Sequence, residues 1–408
     1  MKKPFVLICI LLMLGLCLCA CAGAPAAETE SVVTPSPASE PAPTPTPTAE
    51  PKSFVLNGQT VERDAKTVDL RGLAPDEVEE AAEVLRQLTA LETVELGSFA
   101  ETPLPVQRLA QLHEACPQAV MDYSFRIYDT EIQLSSETLD MRHVPMGDGG
   151  RVVRAVMRMM KNLNYVDMDG CGLPNEVMAE IRDELPQAKV VWRIWFGDKY
   201  SVRTDVERIL ASAPDLAGEL VHDNVMPLMY CTEVKYLDLG HNNHMDTIEF
   251  VRYMPELEVA ILAMSHVEDF SPLADCPKLE YLELFTSRLH DLTPLSGLTN
   301  LRHLNICYCF AINDISPLYS LTNLERLWIG GYDPVPPEQI ETMRKMAPDC
   351  VINTTTLDPT EEGWRAGEAE YPGWPKAQER YVLLQKQFKY LEGAYSFYYL
   401  DPDYYYGY

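Results

Sequence analysis

Basic side chains are scarce in this sequence. The 408 residues include 33 Lys and Arg against 61 Asp and Glu, which gives a formal net charge of −28. Nucleic acid phosphates and anionic lipid headgroups repel such a chain, so the composition argues against both as partners. Basic proteins or cations remain compatible, although an acidic balance alone specifies none of them.

The motifs of common catalytic sites are also missing. The sequence contains no G-x-S-x-G, no H-E-x-x-H and no glycine-rich phosphate loop. Its acidic residues fall mostly on predicted helix faces, where solvation is the usual role. We therefore predict that the protein is not an enzyme and uses no cofactor.

Candidate metal ligands occur only in weak patterns. His241 and His244 flank two asparagines, but they have neither a helix nor a further ligand set around them. Asp167 and Asp169 resemble a fragment of a calcium loop without its remaining oxygen ligands. We predict no metal site.

The N-terminus has the pattern of an export signal. Two lysines precede an apolar run from Phe5 to Leu18, which is short for a membrane span. The run ends in Leu-Cys-Ala-Cys, which resembles a bacterial lipobox. That resemblance implies a lipoprotein signal peptide over residues 1–20 and lipidation of Cys21. An ordinary secretory signal, a transmembrane anchor and lipidation at Cys19 are the alternatives.

A spacer without folding potential follows. Residues 21–52 are almost entirely Ala, Pro, Thr, Ser and Glu, too polar to bury a core. A proline-rich spacer extends about 3.1 Å per residue, so this tether spans roughly 90 Å. Such reach suits a protein that crosses a cell wall, and we predict a Gram-positive cell surface.

The second half of the chain repeats itself. Leu257, Leu279 and Leu301 are 22 residues apart, and Val234 and Leu324 extend the series by steps of 23. Leu279, Leu301 and Leu324 each begin an L-x-x-L-x-L phrase, in which Ile replaces the last Leu in two coils, and D-x-[ST]-P-L follows at a fixed offset in three coils. A period of this length predicts a stacked solenoid, because no single unit buries its own apolar face.

This phrase resembles the internalin type of leucine-rich repeat found on bacterial surface proteins. The resemblance implies a horseshoe or arc with a parallel sheet on its concave side and a role in recognition. We predict an α/β solenoid whose 22-residue repeats cover residues 223–357. A cap helix and a tyrosine-rich tail are predicted over residues 358–408.

Residues 53–222 repeat on a longer period. Lys66 to Leu70 matches Glu92 to Leu96 at a spacing of 26, with an amphipathic helix pattern between them. A strand and a full helix per unit resemble the ribonuclease-inhibitor variety of leucine-rich repeat. A duplication of about 70 residues is also visible, since Pro-Gln-Ala occurs at 117–119 and 186–188. Each copy is predicted to end in a β-hairpin.

The intervening residues of the L-x-x-L-x-L phrase are predicted to face the concave side. Aromatic residues recur there in neighbouring coils beside an arginine, as is typical of recognition sites. The predicted ligand-binding residues are Tyr236, Ile261, Tyr281, Phe285, His303, Arg326 and Trp328. The alternative is that a neighbouring segment, such as the C-terminal tail, covers this row.

The predicted function is recognition outside the cell. We expect a module anchored by lipid to the outer face of the cytoplasmic membrane that binds an extracellular protein, peptide or glycan. A structural or self-associating envelope scaffold is the first alternative. A targeting subunit of a cell-wall hydrolase is the second.

Overall fold

A computed structural model describes residues 51–197, 200–211, 220–331, 335–356, 359 and 364. The predicted signal peptide, the lipidation site Cys21, the tether up to residue 50 and the predicted cap helix within 358–408 lie outside these residues.

Short strands alternate with helices along the described chain. The strands are β1 (Ser53–Leu56), β2 (Gln59–Glu62), β3 (Thr67–Asp69), β4 (Thr93–Ser98), β5 (Val120–Ile127), β6 (Thr130–Gln133), β7 (Thr138–Asp140), β8 (Tyr165–Asp167), β9 (Lys189–Val191), β10 (Arg193–Phe196), β11 (Tyr200–Arg203), β12 (Arg208–Leu210), β13 (Tyr236–Asp238), β14 (Val259–Ile261), β15 (Tyr281–Glu283), β16 (His303–Asn305), β17 (Arg326–Trp328) and β18 (Val351–Asn353). The α-helices are α1 (Val78–Leu85), α2 (Val106–Ala115), α3 (Arg151–Met159), α4 (Asn175–Glu184), α5 (His222–Val225) and α6 (Pro337–Met346).

The 22-residue coils stack in register. Strands β12 to β18 form one parallel sheet in chain order, so each coil pairs with the coils before and after it. Leu282 lies opposite Leu304, which lies opposite Leu327, and all three are buried. The predicted inner column is therefore confirmed, and each such leucine contributes about 1.5–3 kcal/mol by leaving water. The sheet already begins at β12, within the region predicted to hold only longer repeats.

A small polar side chain turns each coil inward just after its strand. Asn242 Nδ2 donates to the carbonyl of Leu239 at 2.8 Å and to that of Ala211, one coil earlier, at 3.0 Å. One side chain therefore satisfies backbone acceptors of two coils, which apolar residues cannot do. The buried occupants of this position are Asn242, Ser265, Ser287 and Cys309, as predicted.

The return side of the coils consists of 3-10 turns. Three of them begin at the Ser-Pro or Thr-Pro pairs, because proline removes a donor that the first turn leaves unpaired anyway. Asp291 precedes one turn and accepts the Thr293 amide N–H at 2.8 Å. The hydrogen bonds from Thr293 lower the pKa of the Asp291 carboxyl, so this side chain accepts them as a carboxylate at neutral pH.

Both predicted copies in the first half are present. In each copy, strands alternate with helices: β3, α1, β4, α2 and β5, then β7, α3, β8, α4 and β9. The strands within each copy pair in parallel, with Val68 opposite Val94 and Leu139 opposite Val166. The arrangement of strand and helix in each unit is confirmed.

The two predicted hairpins are also confirmed. Ile127 pairs with Thr130 across the β5–β6 turn, and Phe196 pairs with Tyr200 across the β10–β11 turn. A third hairpin, β1–β2, precedes the first copy and turns at Asn57-Gly58, both with positive φ. The β1–β2 and β10–β11 hairpins form two-stranded sheets, whereas β3 to β6 form a four-stranded sheet and β7 to β9 a three-stranded one.

One contiguous apolar core runs through both repeat regions, from Leu56 to Ala347. Among the described residues, no helix combines the length and apolar content that crossing a bilayer requires. The fold is a leucine-rich-repeat α/β solenoid, as the sequence predicts.

Cysteines take core positions. Cys231 and Cys276 are fully buried free thiols at a position that leucine fills in sister coils, as expected from the repeat. Burial raises the pKa of the Cys276 thiol to about 12 and that of Cys116 to about 11. These thiols are therefore protonated at neutral pH and poor nucleophiles.

Leu304→Ala tests the stacked column. We expect a loss of about 2–5 kcal/mol in the free energy of unfolding, because the cavity is shared with two neighbouring coils. Denaturant titration measures it. Val55→Ala is the control, since this side chain is 72% exposed and its truncation should change stability by less than about 0.5 kcal/mol. Equal effects of the two variants would contradict the stacking.

Six of the seven cysteines after the signal are buried and should react slowly with a disulfide reagent at mildly alkaline pH, whereas all seven should react rapidly after denaturation. The measurement uses a soluble chain that begins at residue 22 and follows the absorbance of the chromophore that the reagent releases when a thiol attacks it. Fewer than seven reactive thiols in the denatured chain would reveal a disulfide that the structure does not contain.

Candidate binding groove on the outer sheet face

The seven-stranded sheet has a face opposite to its leucine columns, here called the outer sheet face; it is the surface predicted to be concave. Two columns of side chains project from it, fixed by the strand register. One column contains Tyr236, Val259, Tyr281, His303, Arg326 and Val351. The other contains Asp238, Ile261, Glu283, Asn305, Trp328 and Asn353.

A second apolar cluster, separate from the main core, lies on this face. Its buried members come from five strands or from the residues just after them, and from one residue far along the chain. They are Leu210, Val259, Ile261, Ala263, Tyr281, Phe285, Cys307, Trp328 and Trp364. The sheet therefore has apolar contacts on both faces, whereas a sheet with one solvent-exposed face has them on one side only.

Trp364 is fully buried on the outer sheet face. Its ring centroid lies 5.3 Å from that of Tyr281 and 5.3 Å from that of Trp328, both in tilted arrangements. The guanidinium of Arg326 lies 4.4 Å from the same centroid. Each aromatic pair contributes about 0.5–1.5 kcal/mol, and a desolvated cation–π contact about 2 kcal/mol.

Polar side chains of the same strands also bind this tryptophan, and we call the surface formed by Tyr281, Glu283, Asn305, Arg326 and Trp328 the groove. The Trp364 indole N–H donates to Glu283 Oε1 at 2.8 Å, and the Tyr281 hydroxyl donates to that oxygen as well. Arg326 Nη1 donates to the Trp364 carbonyl at 2.9 Å. Glu283 and Arg326 are both buried, so these bonds satisfy charged groups that are costly to remove from water.

Two other residues that follow strand β18 also contact this face of the sheet. Asn305 Nδ2 donates to the Pro359 carbonyl at 2.7 Å. Thr356 passes so close to Gly330 that a Cβ built on the glycine would lie 2.8 Å from the Thr356 carbonyl oxygen. Only glycine admits the chain there. We call Thr356, Pro359 and Trp364 the covering residues.

The predicted row lies together, but its predicted exposure is wrong. Ile261, Tyr281, Phe285, His303, Arg326 and Trp328 are all buried, and Tyr236 is half-buried with its hydroxyl 3.3 Å from Glu258. The alternative of coverage by a neighbouring segment is the one observed, through Thr356, Pro359 and Trp364. Whether these seven residues bind a ligand stays a prediction.

The contribution of Trp364, Glu283 and Asn305 was not predicted. None of the three is among the predicted ligand-binding residues. A signal was present in the sequence, since Glu283 lies between two leucines at a position that Trp328 and Ile261 fill in other coils. A carboxylate in an aromatic row requires a donor.

Carboxylates in the first half are paired with arginines. Asp167 lies 3.1 Å from Arg203, and Asp169 lies 3.1 Å from Arg193. Arg203 also donates to the Tyr165 hydroxyl at 2.9 Å. Within the described ranges, no three His, Cys, Asp or Glu side chains come together as a metal site.

A cleft of about 550 Å³ lies between strands β6 and β7, where the sheet is interrupted. Its charged residues Asp140 and Arg142 bond to each other at 2.7 Å. The carboxyl of Asp140 has a lowered pKa because of that hydrogen bond. Because Asp140 and Arg142 neutralise each other, this cleft lacks the set of converging polar and aromatic side chains that the outer sheet face has.

No protein-family model matches the sequence, and no curated protein matches it. The chain is similar to an internalin (inlF) of Listeria monocytogenes, with 18% identity over 68% of this chain and 66% of that one, at a TM-score of 0.33. It is also similar to a leucine-rich-repeat protein of Leptospira interrogans, with 18% identity over 66% of this chain and 74% of that one, at a TM-score of 0.29.

A third similar structure is the ectodomain of the plant receptor kinase GASSHO1/SCHENGEN3 of Arabidopsis thaliana, solved in complex with CASPARIAN STRIP INTEGRITY FACTOR 2. Identity is 13% over 66% of this chain and 27% of that one, at a TM-score of 0.28. The chain thus spans less than two thirds of the inlF and plant structures. Because these values are low, the assignment of the fold rests on the repeat and the sheet register.

Trp364→Phe tests the contact between the indole and the carboxylate. The change keeps a ring in the groove but removes a donor from buried Glu283, so we expect a loss of about 1–3 kcal/mol in unfolding free energy. Denaturant titration measures this loss. Trp195→Phe is the control, since Trp195 is 60% exposed. A loss no larger than that of the control would contradict the described bond.

Proposed function

We propose that the protein is a lipid-anchored, non-catalytic module of the outer cell surface that binds segments of other proteins on its outer sheet face. One observation carries this proposal: the face already binds Pro359 and Trp364 of the same chain through specific hydrogen bonds. Asn305 and Arg326 each donate to a backbone carbonyl, and Glu283 accepts from a side chain. These are the contacts that recognition of a peptide requires.

The same contacts favour a peptide over a glycan. Tyr281 and Trp328 offer aromatic surfaces that suit either ligand, but two side-chain donors directed at carbonyl oxygens suit a polypeptide backbone. The donors come from adjacent strands, β16 and β17, whose spacing of about 4.8 Å fixes their separation. We therefore propose a protein or peptide as the ligand class.

Anchoring through Cys21 rests on the lipobox and the tether. We expect the mature protein to incorporate a labelled fatty acid and to remain with the membrane fraction of a bacterial host. Cys21→Ser should abolish both, whereas Cys19→Ser should change neither, because only the residue after the cleavage point receives the lipid. Retained label in Cys21→Ser would assign the anchor elsewhere.

The binding test uses a groove without its own tryptophan. In the unmodified chain, the internal residues compete with an external ligand for the groove. A substitution in the groove weakens the binding of both, so the apparent affinity for the external ligand changes little. Trp364→Ala removes the indole contacts of the internal competitor and leaves only its weaker bonds, such as that of Pro359 to Asn305. The main core is a separate cluster, so the variant should stay folded.

We expect a synthetic peptide array to contain ligands for the soluble Trp364→Ala chain. Adding Trp328→Ala should weaken those ligands by at least about 30-fold, since truncating a buried tryptophan at a binding site costs about 2 kcal/mol or more. Adding Trp195→Ala instead, on the exposed side of a hairpin, should leave affinity unchanged. Peptides that bind all three chains equally, or no peptides at all, would overturn the proposal.

A further inference from the structure

The covering residues show which chemistry the groove accepts. The deepest contact is made by one indole, which meets an aromatic ring on two sides, a guanidinium over its face and a carboxylate at its N–H. Phenylalanine and tyrosine cannot supply the N–H at that place on the ring. The groove therefore discriminates among aromatic side chains by a buried hydrogen bond, the kind of contact that gives strong selectivity.

The backbone contacts add a second requirement. Arg326 binds the carbonyl of the tryptophan itself, and Asn305 binds the carbonyl of the residue five positions earlier, Pro359. A ligand must therefore present two carbonyl oxygens on one side, with the tryptophan at its C-terminal end. A proline at the earlier position is compatible, because this contact uses no backbone N–H.

We propose that the groove is a receptor site for a tryptophan-bearing segment of a partner protein, for which Trp364 and Pro359 are the internal substitute. This inference rests on the proposed function and names its ligand class. The internal tryptophan follows strand β18 by eleven residues, so it competes at an effective concentration in the millimolar range. A partner must bind the open groove more tightly than the internal segment to replace it.

A second copy of this chain is a poorer occupant for the same reason. Its segment has the same intrinsic affinity as the internal one, but it arrives at a concentration far below millimolar. Exchange between copies therefore gains nothing in solution. We assign the site to a different protein and expect the soluble chain to sediment as a monomer.

The test uses a peptide of residues 357–365, with blocked ends, added to the full soluble chain that carries Trp364→Ala. Calorimetry should show binding to this variant at least about tenfold tighter than to the unmodified chain, whose groove is occupied. The same peptide with its Trp replaced by Ala should not bind. With Trp replaced by Phe, binding should weaken about tenfold or more, because the Glu283 carboxylate loses its donor.

Glu283→Gln in the Trp364→Ala background separates recognition from mere hydrophobic contact. It should reduce the preference for Trp over Phe in the peptide, whereas Asp122→Asn, on the distant strand β5, should leave that preference unchanged. If Trp364→Ala fails to fold, Trp364→Phe replaces it as host, since it keeps the ring contacts and lacks only the N–H.

Four results would overturn the inference. The first is equal binding of the Trp and Ala peptides, and the second is no binding by a folded host. The third is a dimer of the unmodified chain that Trp364→Ala abolishes, which would make a second copy the occupant. The fourth is groove-dependent array peptides without tryptophan, which would reject this ligand class while leaving the proposed function standing.

Discussion

The whole structure depends on the register between neighbouring coils. Leucine side chains of one coil are buried only because the next coil places its own leucines directly against them, as Leu282, Leu304 and Leu327 do. Side chains such as Asn242 add hydrogen bonds between coils where the backbone turns. The same register that buries the leucines also aligns the alternate residues on the other face, so the groove is a consequence of the stacking.

The groove differs from the core in its chemistry. Buried Glu283, His303, Asn305 and Arg326 lie among aromatic rings, and such polar groups are tolerated only where partners satisfy them. Trp364 and Pro359 supply some of those partners. Hydrogen bonds to polypeptide groups fix the position of the residues that occupy this surface, which a purely apolar cluster does less strictly.

Much of the fold could be predicted because the repeat is a local signal. The spacing of Leu257, Leu279 and Leu301 fixes the coil length, and strand alternation then determines which residues share a face. The paired Pro-Gln-Ala sequences similarly located the two hairpins. The hairpin β1–β2 was missed because it has no such marker, although Asn57-Gly58 is a favoured turn pair.

The covering of the groove could not be predicted from the repeat. Trp364 follows the last strand in a stretch without periodicity, and no local pattern tells which surface a lone tryptophan will contact. The aromatic row alone fits both an open site and a covered one. Glu283 is the residue that distinguishes them, since a buried carboxylate implies a donor, but its burial becomes visible only in three dimensions.

Hydroxyl-radical footprinting read by mass spectrometry tests the central claim most directly, because it reports the exposure of each side chain in solution. The account predicts that Tyr281, Trp328 and Trp364 are protected while Trp195 is labelled. In Trp364→Ala, Tyr281 and Trp328 should become labelled while Leu282, Leu304 and Leu327 stay protected. Labelling of Tyr281 and Trp328 in the unmodified chain at the level of Trp195 would contradict a groove held by its own tryptophan.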